Sequence, residues 1–176
     1  MSTQEAAEAR ARRLIDQQLI QAGWSVQNRS EIDLVNHQGV AVRETILAPG
    51  SGRVDYLLYI NRKIVGVIEA KPSGHTLTEV QWQSHGYSRG LNADQLRVAV
   101  LHRNELPFIY EASGTETHFT NLYDPEPRAR HIFNFQKPES LARIIRESES
   151  NDQATWRGRV HSLPETDGYD LRPASR

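Results

Sequence analysis

Cysteine is absent from the 176 residues. That excludes a disulfide framework and thiolate metal sites, and it fits a reducing, cytoplasmic compartment. No apolar run approaches the roughly 20 residues of a membrane span, so a membrane is not among the expected partners. The opening stretch, Ser2 to Arg13, is charged and lacks the apolar core of a secretory leader. Charge of one sign is missing too: 21 Lys and Arg stand against 22 Asp and Glu, a net charge of -1. A protein that grips DNA unaided is usually more basic, because phosphate contacts dominate affinity. Near-neutrality instead suits a module delivered to DNA by other domains or subunits. There is no internal repeat, and no GxxxxGK[ST] phosphate loop, so the chain carries no evident ATPase of its own.

What is present suffices for one domain with a single sizeable core. Ser2 with Glu5 forms a capping-box pattern, and Ala7, Ala11, Leu14, Leu19 and Ala22 recur at helical spacing up to a stop at Gly23. Trp24 to Val35 is mixed, a short strand and loop. Gly39 to Leu47 alternates like a strand and ends at Pro49-Gly50-Ser51-Gly52. Two runs, Val54 to Ile60 and Ile64 to Lys71, are apolar on both faces as central strands are. The three residues Asn61-Arg62-Lys63 between them are too few for a parallel crossover and imply a hairpin. Thr76 with Glu79 opens a further helix that Gly90 closes. Leu96 to His102 reads as a buried strand, and Phe108 to Tyr110 and His118 to Leu122 as short strands flanking a Gly114 turn. Pro138 to Glu147 reads as a helix with proline in its first turn. The pattern predicts an α/β domain over residues 1–147 with one central mixed sheet flanked by helices, then a polar linker over 148–176.

The chemistry concentrates in the hairpin. If Arg62 is the centre of the turn, paired residues sum to 124 and Asp55 lies opposite Glu69. Directly opposed residues share a sheet face with Cβ atoms about 4.5–5.5 Å apart, and Lys71, two residues on, points the same way. A slip of one residue would turn Asp55 to the other face. Two carboxylates so placed repel unless a cation settles them. Mg²⁺ takes one or two protein carboxylates and keeps waters, so Asp55 and Glu69, with the Ala70 carbonyl, suit it, with Mn²⁺ as a substitute. Such a metal polarises a phosphate and acidifies a bound water, and Lys71 can orient that water or stabilise the charge that develops. Taken alone, a Glu-x-Lys on a strand is more often a solvated ion pair. Gln83 and Tyr87 sharpen the pattern. They are four apart on the helix that follows Lys71, hence on one face.

Asp55, Glu69-Ala70-Lys71 and the Gln83/Tyr87 pair resemble the PD-(D/E)xK nuclease core in its RecB-like form. Val42-Arg43-Glu44, GRVDYLLY from Gly52, VIEAK from Val67, LPFIYE from Leu106, FTNL from Phe119, DPEPR from Asp124 and Phe133-Asn134-Phe135 are similar to the N-terminal nuclease region of the restriction (R) subunit of type I restriction-modification enzymes. The resemblance runs from the first helix to Glu147. It implies a restriction-endonuclease-like fold and Mg²⁺-dependent cleavage of double-stranded DNA, in the cytoplasm of a bacterium or archaeon. It implies that Asp55, Glu69 and Lys71 are catalytic and that Gln83 and Tyr87 support the site or contact DNA. Glu44, and Glu8 from the first helix, are weaker acidic candidates. In R subunits an ATP-driven translocase follows this domain, and the chain stops where that motor would begin. The implied partners are therefore DNA, the remaining motor domains of the subunit, which would bring ATP, and the modification and specificity subunits.

Arg53, Arg62, Lys63 and Arg89 are candidates for DNA contact by proximity to the hairpin and its following helix. Arg10, Arg12 and Arg13 could track phosphates, but the default reading is a solvated helix face. His75, His85 and His102 lack the spacing of a zinc site. Two other functions compete: a stand-alone repair or resolvase-like nuclease, and a non-catalytic docking or DNA-binding module on a degenerate nuclease fold. Metal binding that depends on Asp55 and Glu69 separates the enzymes from the module.

Overall fold

The computed structural model describes residues 3–71 and 90–150. Seven strands form one mixed sheet in chain order: β1 Ser25–Gln27, β2 Gly39–Ile46, β3 Arg53–Ile60, β4 Lys63–Ala70, β5 Phe108–Ala112, β6 Thr117–Asn121 and β7 Arg130–Ile132. Neighbours are antiparallel except β1/β2 and β4/β5, which run parallel. Helices α1 (Thr3–Gln21), α2 (Ala93–Val98) and α3 (Pro138–Ser150) and a short 3-10 turn over Arg29–Glu31 accompany the sheet among the described residues. The α/β class and the central mixed sheet agree with the sequence reading.

The two central strands separate two cores, as their doubly apolar sequence requires. On one face Tyr56, Leu58, Val65 and Ile68 pack with Ile15 and Leu19 of α1 and Leu141 and Ala142 of α3. On the other, Leu57, Tyr59, Ile64 and Val67 pack with Leu91, Leu106 and Ile109. Helix α1 ends at Gly23, whose φ of +91° permits the turn. The Trp24 N–H then reaches back to the Leu19 carbonyl at 3.0 Å, satisfying an orphan acceptor at the helix end. Phe135 closes the first core against Tyr110, while Phe133 points to solvent.

Three expectations are corrected. The hairpin turn has two residues, not three: Asn61 and Arg62 both have positive φ, +48° and +67°, the mirror-type turn that suits strand twist. Pairs next to it sum to 123, as in Ile60↔Lys63. A bulge that leaves Val65 unpaired then shifts the ladder, so that Leu58↔Gly66, Leu57↔Val67 and Tyr56↔Ile68 sum to 124. Gly66 beside this bulge has no room for a side chain, since a Cβ there would lie 2.2 Å from the Phe108 carbonyl oxygen.

The buried strand expected over Leu96–His102 is instead helix α2 followed by irregular chain. Asn92 and Gln95 cap the helix reciprocally, at 2.8 and 2.9 Å, and so favour a helical start. The edge of β4 that a strand there would need is occupied from Gly66 onward by β5, leaving only an isolated Ile64↔Ala99 bridge. Leu96, Val98 and Leu101 are accordingly exposed. Finally, β7 has no counterpart in the sequence reading, and α3 runs to Ser150, past the expected end at Glu147. The helix expected between Thr76 and Gly90 and most of the linker expected over 148–176 lie outside the described residues.

Candidate functional site

The bulge decides what faces what. The last pair of the ladder, Tyr56↔Ile68, sums to 124, and that count carried one step further puts Asp55 level with Glu69, where the two strands part. Counting from the true two-residue turn without the bulge would have set Asp55 opposite Ile68. The row continues on both sides. Glu44 falls opposite Asp55, between the pairs Arg43↔Tyr56 and Thr45↔Val54. Glu69 pairs with Glu111, which pairs with His118, which pairs with His131. One rank of the sheet therefore carries four acidic residues on four successive strands, followed by two histidines. Like charges on directly opposed positions are unfavourable, so this rank calls for cations.

Asp55 is held at the point where β3 and β4 part. The Ala70 backbone N–H donates to Asp55 Oδ2 at 2.9 Å, so the carboxylate takes the place of a ladder carbonyl. Its other oxygen, Oδ1, stands 3.3 Å from Arg12 Nη2 of α1, and the Asp55 side chain is only 16% exposed. Arg12 Nη1 donates to Glu44 Oε1 at 3.2 Å, and Arg53 Nη1 lies 3.4 Å from the same oxygen. Glu44 sits in mid-strand with φ of +49°. A non-glycine residue there is strained by about 1–3 kcal/mol, a condition that clusters at functional sites.

Glu69, Ala70 and Lys71 are half-buried. The Lys71 backbone N–H donates to the Ala112 carbonyl at 2.8 Å, which carries the β4/β5 pairing one residue beyond the strand. Among the described residues no group of three or more His, Cys, Asp or Glu converges as a metal cage. Two carboxylates and a backbone carbonyl would form a hard oxygen set, of the kind that suits a largely hydrated Mg²⁺ rather than a caged ion.

One helical turn along α1 and one residue along each strand, a second cluster clamps the helix to the sheet. Arg43 Nε and Nη2 bind both oxygens of Asp16 at 3.0–3.2 Å, and its Nη1 donates to Asn28 Oδ1 at 3.0 Å. The Tyr56 hydroxyl donates to Asp16 Oδ1 at 2.8 Å. Burial first, and then the Asp16 carboxylate, push the Tyr56 hydroxyl pKa far above that of an ordinary tyrosine. The same carboxylate raises that of Arg43.

Of the residues singled out from sequence, Asp55, Glu69, Ala70, Lys71, Glu44 and Arg53 come together at one end of the hairpin. Arg62 and Lys63 lie at the opposite end, roughly 20 Å away at about 3.3 Å per residue, so they are not part of this site. Gln83, Tyr87 and Arg89 lie outside the described residues. Arg12 and Glu111 were not anticipated at the site. Arg12 borders the buried Ala11–Ile15–Leu19 stripe of α1, the one signal that it faces the sheet. Glu111 becomes visible only through the parallel β4/β5 register.

A seven-stranded mixed sheet with flanking helices defines an α/β domain, an architecture consistent with a nuclease-like domain. No curated protein and no solved structure gave a match. Residues 24–121, more than half of the chain, match the family described as the type I restriction enzyme EcoKI endonuclease subunit second domain. The chain belongs to that family, which gives the domain a nuclease role in restriction. The matched span contains Glu44, Asp55, Glu69, Lys71 and Glu111, and excludes α1 with Arg12.

Proposed function

We propose that the domain is the metal-dependent cutting module of a type I restriction enzyme, of PD-(D/E)xK type, hydrolysing phosphodiester bonds of double-stranded DNA. What supports this reading is the Asp55 carboxylate held on the Ala70 N–H, next to Glu69 and Lys71 at the end of a ladder that sums to 124. A bound Mg²⁺ or Mn²⁺ would polarise the scissile phosphate and acidify the attacking water. Asp55 and Glu69 would hold the cation and the Ala70 carbonyl would add a third oxygen, while the Ala70 N–H keeps Asp55 from rotating away. Lys71 orients the water or meets the negative charge that builds on the phosphate. Arg53, about half exposed, would meet the DNA backbone. Gln83 and Tyr87 complete the support of the site in this reading, and Arg89 adds a phosphate contact.

The near-neutral charge of the chain agrees with a module that receives DNA from elsewhere. The partners are accordingly the motor domains of the R subunit, which consume ATP, and the modification and specificity subunits. No described helix is long and apolar enough to cross a membrane. The test is cleavage of supercoiled plasmid with Mg²⁺ or Mn²⁺ by this chain and by a complete R subunit with its partners and ATP. Asp55→Asn and Lys71→Ala are each expected to abolish cutting while ATP hydrolysis by the complex continues. Cutting that survives both substitutions overturns the reading in favour of a docking or DNA-binding module.

A further inference from the structure

Asp55 already has a cation. Arg12 places one guanidinium nitrogen 3.3 Å from Asp55 Oδ1 and another 3.2 Å from Glu44 Oε1, and so bridges two adjacent strands from the helix above them. Among the described residues it is the only Lys, Arg or His within ion-pair distance of Asp55. These contacts are looser than the 2.7–2.9 Å of strong charge-assisted bonds, and Arg12 remains 35% exposed. Oδ2 is tied to the Ala70 N–H, so Oδ1 is the oxygen that a metal would approach, and it is the oxygen that Arg12 covers. A guanidinium and a divalent cation cannot share that oxygen at close range without strong repulsion.

We propose that Arg12 is an exchangeable counter-ion of the metal site. It neutralises Asp55 and Glu44 while the site is empty, and an arriving divalent cation displaces it from Asp55. This rests on the reading of Asp55 as a metal ligand. Arg12 thereby sets the threshold metal concentration at which the site loads, and it is a positioning residue rather than a catalytic one. It enters from α1, outside the span that matches the family.

The test is isothermal titration of Mn²⁺ into the full chain without DNA, comparing wild type, Arg12→Gln, Arg12→Lys, Arg13→Gln and Asp55→Asn, each first checked for folding by thermal melting. Arg13 is the exposed neighbour on the same helix, so its variant removes the same charge without touching the site. Arg12→Gln is expected to bind Mn²⁺ roughly five- to tenfold more tightly at unchanged stoichiometry. Arg12→Lys and Arg13→Gln stay within about twofold of wild type, and Asp55→Asn binds none. Binding that depends on Asp55 but is unchanged or weakened in Arg12→Gln overturns the counter-ion role and leaves the metal site standing. Absence of Asp55-dependent binding in every variant, Arg12→Gln included, overturns the metal site and the counter-ion with it.

Discussion

Two arginine clusters sit side by side on the seam between α1 and the sheet, built from adjacent residues in each element. Asp16 and Arg12 are one turn apart on the helix, Arg43 and Glu44 are neighbours on β2, and Tyr56 and Asp55 are neighbours on β3. In the first cluster every charge is matched. Arg43 grips Asp16 through two nitrogens, Asn28 takes a third, and Tyr56 adds a hydroxyl to the same carboxylate. In the second, Arg12 is stretched between two carboxylates at 3.2 and 3.3 Å, Glu44 is strained, and Asp55 has one oxygen available for exchange. A clamp that serves the fold closes its bonding completely. In the proposed metal site, the Arg12 contact is the interaction that a ligand would displace. Their proximity means that the clamp also fixes the position from which Arg12 reaches Asp55.

The sharpest way to break this contrast is to exchange the roles. Asp55→Asn keeps an oxygen for the Ala70 N–H, so it is expected to lower plasmid cleavage by about 10²-fold or more with little change in melting temperature. A large loss of stability would show that Asp55 belongs with the clamp. Asp16→Ala leaves the Arg43 guanidinium and the Tyr56 hydroxyl without their shared partner. A loss of about 2–3 kcal/mol is expected, read from the urea midpoint at constant m. A loss under about 0.5 kcal/mol, the size of an ordinary surface change, would remove the distinction between the clusters.

Alkali sharpens the comparison further. The folded-state pKa of Tyr56 is raised by burial and by Asp16. Its contribution is therefore complete below the unfolded tyrosine value near 10 and is lost as pH rises above it. Tyr59, Tyr110 and Tyr123 are shifted the same way, so alkali weakens the fold even without Tyr56. Between pH 8 and pH 11, Tyr56→Phe is expected to lose less stability than wild type, by at most about 1.4 kcal/mol. Equal losses in the two proteins would place the titrating group elsewhere. The smallest effect is a gain. Glu44→Gly relieves a positive φ and gives up only exposed ion pairs, so stability is expected to rise by about 0.5–1 kcal/mol while cleavage declines. A destabilised Glu44→Gly would mean that its ion pairs outweigh the strain.

Much of this site is legible in the sequence because a hairpin is a local object. Strand alternation, the turn between Ile60 and Ile64, and the spacing of Asp55, Glu69 and Lys71 are all set by residues within a stretch of 17. Even so, the register came out as expected through two departures that cancel: a turn one residue shorter than expected, and a bulge at Val65 that restores the count. The failure at Leu96–His102 has the opposite character. Its alternation of apolar residues suits a strand, yet a strand also needs a free edge, and β5 had taken it.

What the sequence determined alone is the class of the domain, its central apolar strands, and the presence of an acidic pair and a lysine at hairpin spacing, since each depends on periodicity over a few neighbouring residues. Tertiary structure decided the rest. The acidic rank from Glu44 to Glu111, the approach of Arg12 from 43 residues before Asp55, and the separation of the Arg43–Asp16 clamp from the Arg12–Asp55 contact all depend on strand registers and on the seating of a helix. Those are fixed by packing between segments distant in the chain, for which no local pattern of residues carries the information.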